Sequence, residues 1–287
     1  MGVIRASIAG VQVGDEYPVR IMAVINVSPE SFYRGSIVVD PEAVAARAEE
    51  LERAGADFID VGGRSTAPYK DTYVPEDVEA RRVVEAIRSI KENSKVRIPV
   101  SVDTTRARVA EEAIEAGADI VNDVYGLKGD PRMPRVVAEY SVPVIVAAHS
   151  RELPERASPI PVVLGALAES LRIAEAAGID ISKVVVDPAI GFFRPKSPPW
   201  YEWDSTILAN LEILRCLGRP ILVGVSRKSF IGAITGREDP AERLWGSLAA
   251  TAIAVYNGAH IVRTHDPAET RDAVRVAEFI ARMRLGR

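Results

Sequence analysis

The sequence predicts an α/β protein, a single (β/α)8 barrel domain over residues 1–287, and three observations carry that prediction. Eight short apolar runs, rich in Val and Ile, each end in a polar or glycine-rich cluster. Each is followed by a stretch long enough for a helix, and several of those stretches close on an alanine–glycine pair before the next run. Eight strand–helix units close such a barrel, and the length is near its usual size.

In order, the runs are 19–27 (VRIMAVINV), 56–63 (ADFIDVGG), 97–104 (RIPVSVDT), 118–125 (ADIVNDVY), 143–150 (PVIVAAHS), 183–188 (KVVVDP), 220–226 (PILVGVS) and 259–266 (AHIVRTHD). Apolar residues at consecutive positions are what parallel strands buried on both faces require. Helical spacing of three and four follows in Val83, Ile87 and Ile90, in Val109 and Ala113, in Val163, Leu167, Leu171 and Ala174, and in Val274, Ala277 and Ala281. The sequences Ala54-Gly55-Ala56, Ala116-Gly117-Ala118, Ala177-Gly178-Ile179 and Asn257-Gly258-Ala259 supply left-handed glycines where helices end. An open doubly wound sheet would usually have fewer strands and a glycine-rich fingerprint after the first, where this chain reads Asn26-Val27-Ser28-Pro29-Glu30. The longest irregular piece, 194–204 (RPKSPPWYEWD), is expected as an active-site loop after the sixth strand.

Lysine and arginine total 36 against 40 aspartates and glutamates, so the net charge of −4 offers no basic field for nucleic acid. The single Cys216 makes neither an internal disulfide nor a thiolate metal cage, which argues for a reducing compartment. No apolar run approaches a membrane span, and the N-terminal residues lack a secretory layout. A cytoplasmic protein is expected.

Function in a barrel sits at the C-terminal ends of the strands. That rule nominates Asn26, then Gly62 to Thr66, Asp103, Asn122 with Asp123, His149, Asp187, Ser226 to Ser229, and Arg263 to Asp266. Each has an ordinary structural alternative: Asp103 before Thr104-Thr105 also suits a helix cap, Asp187-Pro188 a turn, and His149 or His265 a structural hydrogen bond. Together they bring carboxylates, amides and the cations Lys228, Arg263 and His265 to one end. Buried carboxylates with an asparagine can read the donor edge of a guanidine-like heterocycle, and the cations can hold a diphosphate. Walker, HExxH and nucleophile-elbow patterns are absent from the sequence. The chemistry expected is positioning and leaving-group stabilisation, and a magnesium ion suits the diphosphate.

Seven blocks in order resemble the dihydropteroate synthase family. They are Ile25-Asn26-Val27-Ser28-Pro29-Glu30-Ser31-Phe32; Asp60-Val61-Gly62-Gly63 with Ser65-Thr66; Ser101-Val102-Asp103-Thr104; and the stretch from Gly117 to Val124. The last three are Asp187-Pro188 with Ile190-Gly191-Phe192, the stretch from Gly224 to Gly232 containing Ser226-Arg227-Lys228-Ser229, and Ile261-Val262-Arg263 with His265-Asp266. The resemblance implies a TIM-type barrel joining 6-hydroxymethyl-7,8-dihydropterin diphosphate to 4-aminobenzoate with release of diphosphate. By motif, Asp103, Asn122, Asp187 and Lys228 would bind the pterin. Asn26, Arg263 and His265 would hold the diphosphate, with magnesium at Asn26. Thr66, Phe192 and Ser229 would shape the aminobenzoate pocket, and a homodimer is implied. Lys228, Arg263 and His265 are the expected catalytic groups.

This chain departs from the family in Arg64 and Ala67, where glutamate and arginine are usual, and in Phe193, Arg194, Ala148 and Ala189. The altered second loop leaves open a bulkier aminobenzene acceptor of the methanopterin type. A pterin-dependent methyltransferase is the other alternative, although Lys228, Arg263 and His265 are groups that a substrate without diphosphate would not need.

Overall fold

The computed structural model describes residues 2–29, 35, 37–38, 40–65, 73–150, 153 and 157–283. All eight expected strands form, trimmed to their most buried residues: β3 (Arg20–Asn26), β4 (Phe58–Gly62), β5 (Val100–Asp103), β6 (Ile120–Asp123), β7 (Val144–Ala147), β8 (Val184–Asp187), β9 (Leu222–Gly224) and β10 (Ile261–Thr264). They run parallel in the order β8-β7-β6-β5-β4-β3-β10-β9. An isolated Val186–Ile221 bridge, with Val186 N–H donating to the Pro220 carbonyl at 2.9 Å, brings the two edges together. The sheet is a nearly closed barrel.

Helices α1 (Pro41–Arg53), α2 (Glu76–Asn93), α3 (Ala107–Glu115), α4 (Met133–Tyr140) and α5 (Pro159–Ala176) follow β3 to β7 in turn. Helix α6 (Trp200–Ala209) follows β8, α7 (Ser229–Thr235) and α8 (Leu244–Tyr256) follow β9, and α9 (Pro267–Arg282) follows β10. The expected glycine endings appear at Gly55, Gly117, Gly178 and Gly258, all at positive φ. At the first, the Ala56 N–H returns to the Leu51 carbonyl and the Gly55 N–H to Glu52, the paired bonds that let the chain leave α1 directly for β4.

One expectation needs correction. The stretch 194–204 is not irregular throughout: α6 begins at Trp200, and Trp203 is fully buried with its ring centroid 5.2 Å from that of Phe193. Burial of that indole draws the second half of the stretch into the helical layer. The sequence reading also passed over an N-terminal hairpin, β1 (Arg5–Ile8) with β2 (Val11–Gly14). Its turn puts Ala9 at φ 47° and Gly10 at φ 86°, the left-handed pair that a two-residue hairpin needs. Ala6, Ile8 and Val13 pack on Met22, Phe58, Ile120, Ile145, Val185, Leu222 and Ile261, so the hairpin plugs the N-terminal end of the barrel.

With one end plugged by hydrocarbon, a ligand reaches the interior from the other. Among the described residues no helix is long and apolar enough to cross a membrane.

Candidate active site

Side chains alternate along a strand, so residues two apart enter the barrel together. Met22 and Phe58 lie in the apolar plug. Asp60 is two residues above Phe58 on β4 and completely buried. Its Oδ2 accepts from Arg263 Nε at 2.6 Å and from Asn122 Nδ2 at 3.0 Å. Asp103, ending β5, accepts at Oδ2 from Arg263 Nη2 at 2.8 Å. One guanidinium on β10 therefore bridges carboxylates from β4 and β5, and one of these also holds the amide from β6. The second carboxylate oxygens, Asp60 Oδ1 and Asp103 Oδ1, and the amide oxygen Asn122 Oδ1 are buried and have no hydrogen-bond partner among the described residues. Three such acceptors are costly in an apolar interior and mark a surface built to receive donors.

Asp103 does not cap a helix: Arg106 occupies the N-cap of α3, without a side-chain cap bond. Burial is the chief force pushing its carboxyl upward, with Asp60 acting the same way and Arg263 opposing. Gly62 lets the neighbouring groups approach, since a Cβ there would lie 3.4 Å from Asn26 Oδ1 and 3.9 Å from Asp103 Oδ2.

Asp187 serves as a turn residue as well as a strand end. Its Oδ1 accepts the Ala189 N–H at 2.8 Å, and burial raises its carboxyl against the opposing charge of Lys228. Ala189 sits at φ 60°, a left-handed position that glycine occupies more easily. Lys228 Nζ donates to the Ile190 carbonyl and lies 4.8 Å from the centre of the Phe192 ring. Loss of solvation, partly offset by Asp187, brings the lysine down to about 8. Ser229 Oγ accepts from Arg194 Nη2 at 3.3 Å, while Arg194 also stacks 4.9 Å over Trp200.

His265 was expected as a cation, and the structure corrects this. Its Nδ1 lies 2.9 Å from Ser226 Oγ, and burial, reinforced by Arg263, Arg227 and Lys228, lowers it to about 3. The imidazole is neutral at pH 7. Arg227, also nominated from the sequence, is structural: it grips Asp266 with two bonds of 2.9 and 2.7 Å and donates to the Pro240 and Ala241 carbonyls. Asp123 accepts the Tyr125 and Leu127 N–H groups and so shapes the turn after β6. His149 packs on Tyr125 with ring centroids 4.4 Å apart. His260 is structural, accepting the Ile221 N–H at Nδ1.

Asn26, Asp103, Asn122, Asp187, Phe192, Lys228, Arg263 and His265 thus gather at the C-terminal ends of the strands or in the loops that follow them, and Ser229 opens α7 next to Lys228. Thr66 lies outside the described residues, as do Glu30, Ser31, Phe32, Ala67, Pro68 and Tyr69. The reading of strand ends missed Asp60, whose signal was an aspartate inside an otherwise apolar strand. It also missed the partner of Arg64, which donates to Glu79 Oε2 at 3.2 Å and to Thr105 Oγ1 at 3.0 Å. Buried Glu79 also takes Arg106 at 2.8 Å, so an acid from α2 and two arginines stand at this rim.

Comparison with known proteins gives the family. A family model described as pterin binding enzyme matches residues 22–265. The chain is 40% identical to the dihydropteroate synthase of Clostridium beijerinckii over 91% of its own length and 94% of that protein. It is 38% identical to that of Bacillus subtilis over 86% and 83%. The structure of the Xanthomonas albilineans dihydropteroate synthase with 4-aminobenzoic acid superposes with a TM-score of 0.85 at 36% identity, covering 97% of this chain and 98% of the other. The same enzyme in complex with 7,8-dihydropteroate gives 0.80 at 35% identity, covering 96% and 98%. With the fold and the motifs in agreement, the chain belongs to the dihydropteroate synthase family of pterin-binding enzymes.

Proposed function

We propose that this chain condenses 6-hydroxymethyl-7,8-dihydropterin diphosphate with 4-aminobenzoate, and that its polar strand ends divide the work between ring, leaving group and amine. The observation that carries the division is the trio of buried acceptors Asp60 Oδ1, Asp103 Oδ1 and Asn122 Oδ1 around Arg263. Acceptors in a row suit the N–H groups of an aminopyrimidine ring. Asp187 closes the same pocket, and Lys228 donates to acceptor atoms of the ring. Asp60 joins Asp103, Asn122, Asp187 and Lys228 as a ring-reading residue.

In the reaction the aromatic amine attacks the methylene carbon, the C–N bond forms, the C–O bond to the diphosphate breaks, and the amine proton leaves to solvent. Arg263 keeps its positive charge at any working pH. It opposes the negative charge that grows on the departing oxygen, more strongly at the transition state than before it. His265 offers Nε2 from a neutral ring, and an anion beside it favours protonation. Thr66, Phe192 and Ser229 are proposed to shape the amine pocket.

Magnesium fits as an ion brought with the substrate. Among the described residues no group of three His, Cys, Asp or Glu side chains could hold a metal. Asn26 offers a hard carboxamide oxygen, and Mg2+ commonly takes one or two protein ligands with phosphate oxygens and water making up the rest. When bound there it would neutralise diphosphate charge. A homodimer is proposed through α7 to α9, where Ile234, Trp245, Ile253 and Phe279 are exposed. An exposed free Cys216 suits the proposed cytoplasmic location.

The test is diphosphate release from the pterin diphosphate with a panel of aromatic amines. Amine-dependent release fastest with 4-aminobenzoate is expected. Preference for a bulkier aminobenzene would move the assignment to the related acceptor, and no amine-dependent release would contradict the synthase reading.

A further inference from the structure

Under the lysine loop lies a buried carboxylate that the strand-end motifs do not include. Asp204, midway along α6, is 0% exposed. Its Oδ1 accepts the Gly191 N–H at 2.9 Å, while Oδ2 has no hydrogen-bond partner among the described residues. Gly191 touches the lysine stem closely: a Cβ there would come within 2.8 Å of Lys228 Cδ, and its φ of +84° is one that favours glycine. On one side of it the Ile190 carbonyl takes Lys228 Nζ. On the other, the Phe192 ring lies 4.8 Å from the same nitrogen. Residues 190, 191 and 192 are thus the seat of the lysine, and Asp204 holds the middle one. Trp203, packed on Phe193, fixes the helix that carries the aspartate.

We propose that Asp204 is a positioning residue for Lys228: through the Gly191 N–H it sets the turn that seats the lysine, and its negative charge keeps the ammonium protonated for the pterin. The proposal rests on the pterin-binding reading of Lys228. Lys228 faces Asp187 from β8, Arg263 from β10, Arg194 from the loop after β8, and Asp204 from α6. Burial and the two arginines pull its proton off, and the two aspartates hold it on. Asp204 in turn faces Lys228 and Arg194, and burial raises it to about 6. Between that value and the lysine's value of about 8, both groups are charged.

Two variants separate the hydrogen bond from the charge. Asp204→Asn keeps an acceptor for Gly191 and loses the charge; Asp204→Leu loses both. Steady-state rates would be measured from pH 6 to 10 by varying pterin diphosphate at saturating 4-aminobenzoate. For the wild type, kcat/KM should fall as pH rises through about 8. In Asp204→Asn that alkaline limb should move down by about half a pH unit or more, with KM at pH 7 nearly unchanged. Asp204→Leu should raise KM for the pterin diphosphate roughly tenfold, with a smaller change in kcat and an unaltered near-ultraviolet circular dichroism spectrum. If the leucine variant does not fold, the asparagine profile alone decides. An alkaline limb unmoved in Asp204→Asn would overturn the proposal. Lys228→Met is the separate control: loss of the limb supports the lysine reading, and its persistence contradicts that reading whatever Asp204 does.

Discussion

The two ends of the barrel treat their carboxylates in opposite ways. At the N-terminal end, Asp15 accepts the Ile4 N–H at 2.8 Å and takes two bonds from Arg215 at 2.6 and 2.8 Å, with His260 Nε2 3.2 Å away. Those partners hold its carboxyl well below the usual range despite partial burial. Beside it, Ile8 and Val13 close the interior with hydrocarbon. At the C-terminal end, Asp60, Asp103 and Asn122 are far more deeply buried, yet each keeps an oxygen with no hydrogen-bond partner among the described residues. Asp103 and Asp187 are pushed upward by burial. One end is arranged for stability. The other carries buried polar groups in the places where a ligand would meet them.

Arg263→Ala should break the comparison most severely. It removes the cation between two buried carboxylates, so the rate of diphosphate release should fall about a thousandfold. Because Arg263 pairs with Asp60 and Asp103 as well as facing the leaving group, binding of the bare pterin should weaken too. The strand-end reading alone, with Arg263 assigned to the diphosphate, would have spared that binding. A variant with full activity would show that the two ends do not differ in function.

Ile8→Ala should have the complementary effect. A cavity under the plug should cost roughly 2–5 kcal/mol in denaturant unfolding while kcat stays close to wild type. A loss of kcat comparable to that of Arg263→Ala would erase the distinction between a structural and a functional end.

Acid sharpens the contrast. His265, lowered to about 3 in the fold, has an unfolded value of about 6.5, so the stability due to its neutral form is present above the unfolded value. That stability is lost as pH falls from there toward the folded value. Asp15 is also depressed, and its contribution is lost only as pH falls below the ordinary carboxylate range. His265→Asn should therefore flatten the decline of unfolding stability at mildly acidic pH, and Asp15→Asn should change the slope only at lower pH. Identical profiles for the two variants would contradict the assigned environments.

The smallest effect is expected at Ala189. Replacing it with glycine relieves a left-handed alanine and should raise stability by at most about 1 kcal/mol, read as a small upward shift of the melting temperature. A clear drop would show that the turn does not strain the alanine.

The barrel strands were legible because burial on both faces wrote them as unbroken Val and Ile runs, and strand ends are where a barrel places its chemistry. The hairpin was less visible: its strands are four residues long, and its signal was the alternation Arg5-Ala6-Ser7-Ile8 before Ala9-Gly10. Asp60 was missed because it lies inside a strand, one pleat below the residues that a strand-end rule selects. Helix α6 was hidden by Pro198 and Pro199, which read as loop residues although a proline can lead directly into a first helical turn. The charge of His265 could not be read from residue type, since it depends first on burial of the ring and then on the nearby charges of Arg263, Arg227 and Lys228.

The central claim is that the buried acceptors at the C-terminal end read the pterin ring. Calorimetric titration of a dihydropterin into wild type, Asp103→Asn and Ile8→Ala, all under conditions where each is folded, tests it most directly. Asp103→Asn places a donor where the ring presents its own N–H groups, and affinity should fall by about 1–3 kcal/mol, roughly five- to 150-fold. Ile8→Ala should bind as tightly as wild type. Undiminished affinity in Asp103→Asn, or a comparable loss in Ile8→Ala, would contradict the account.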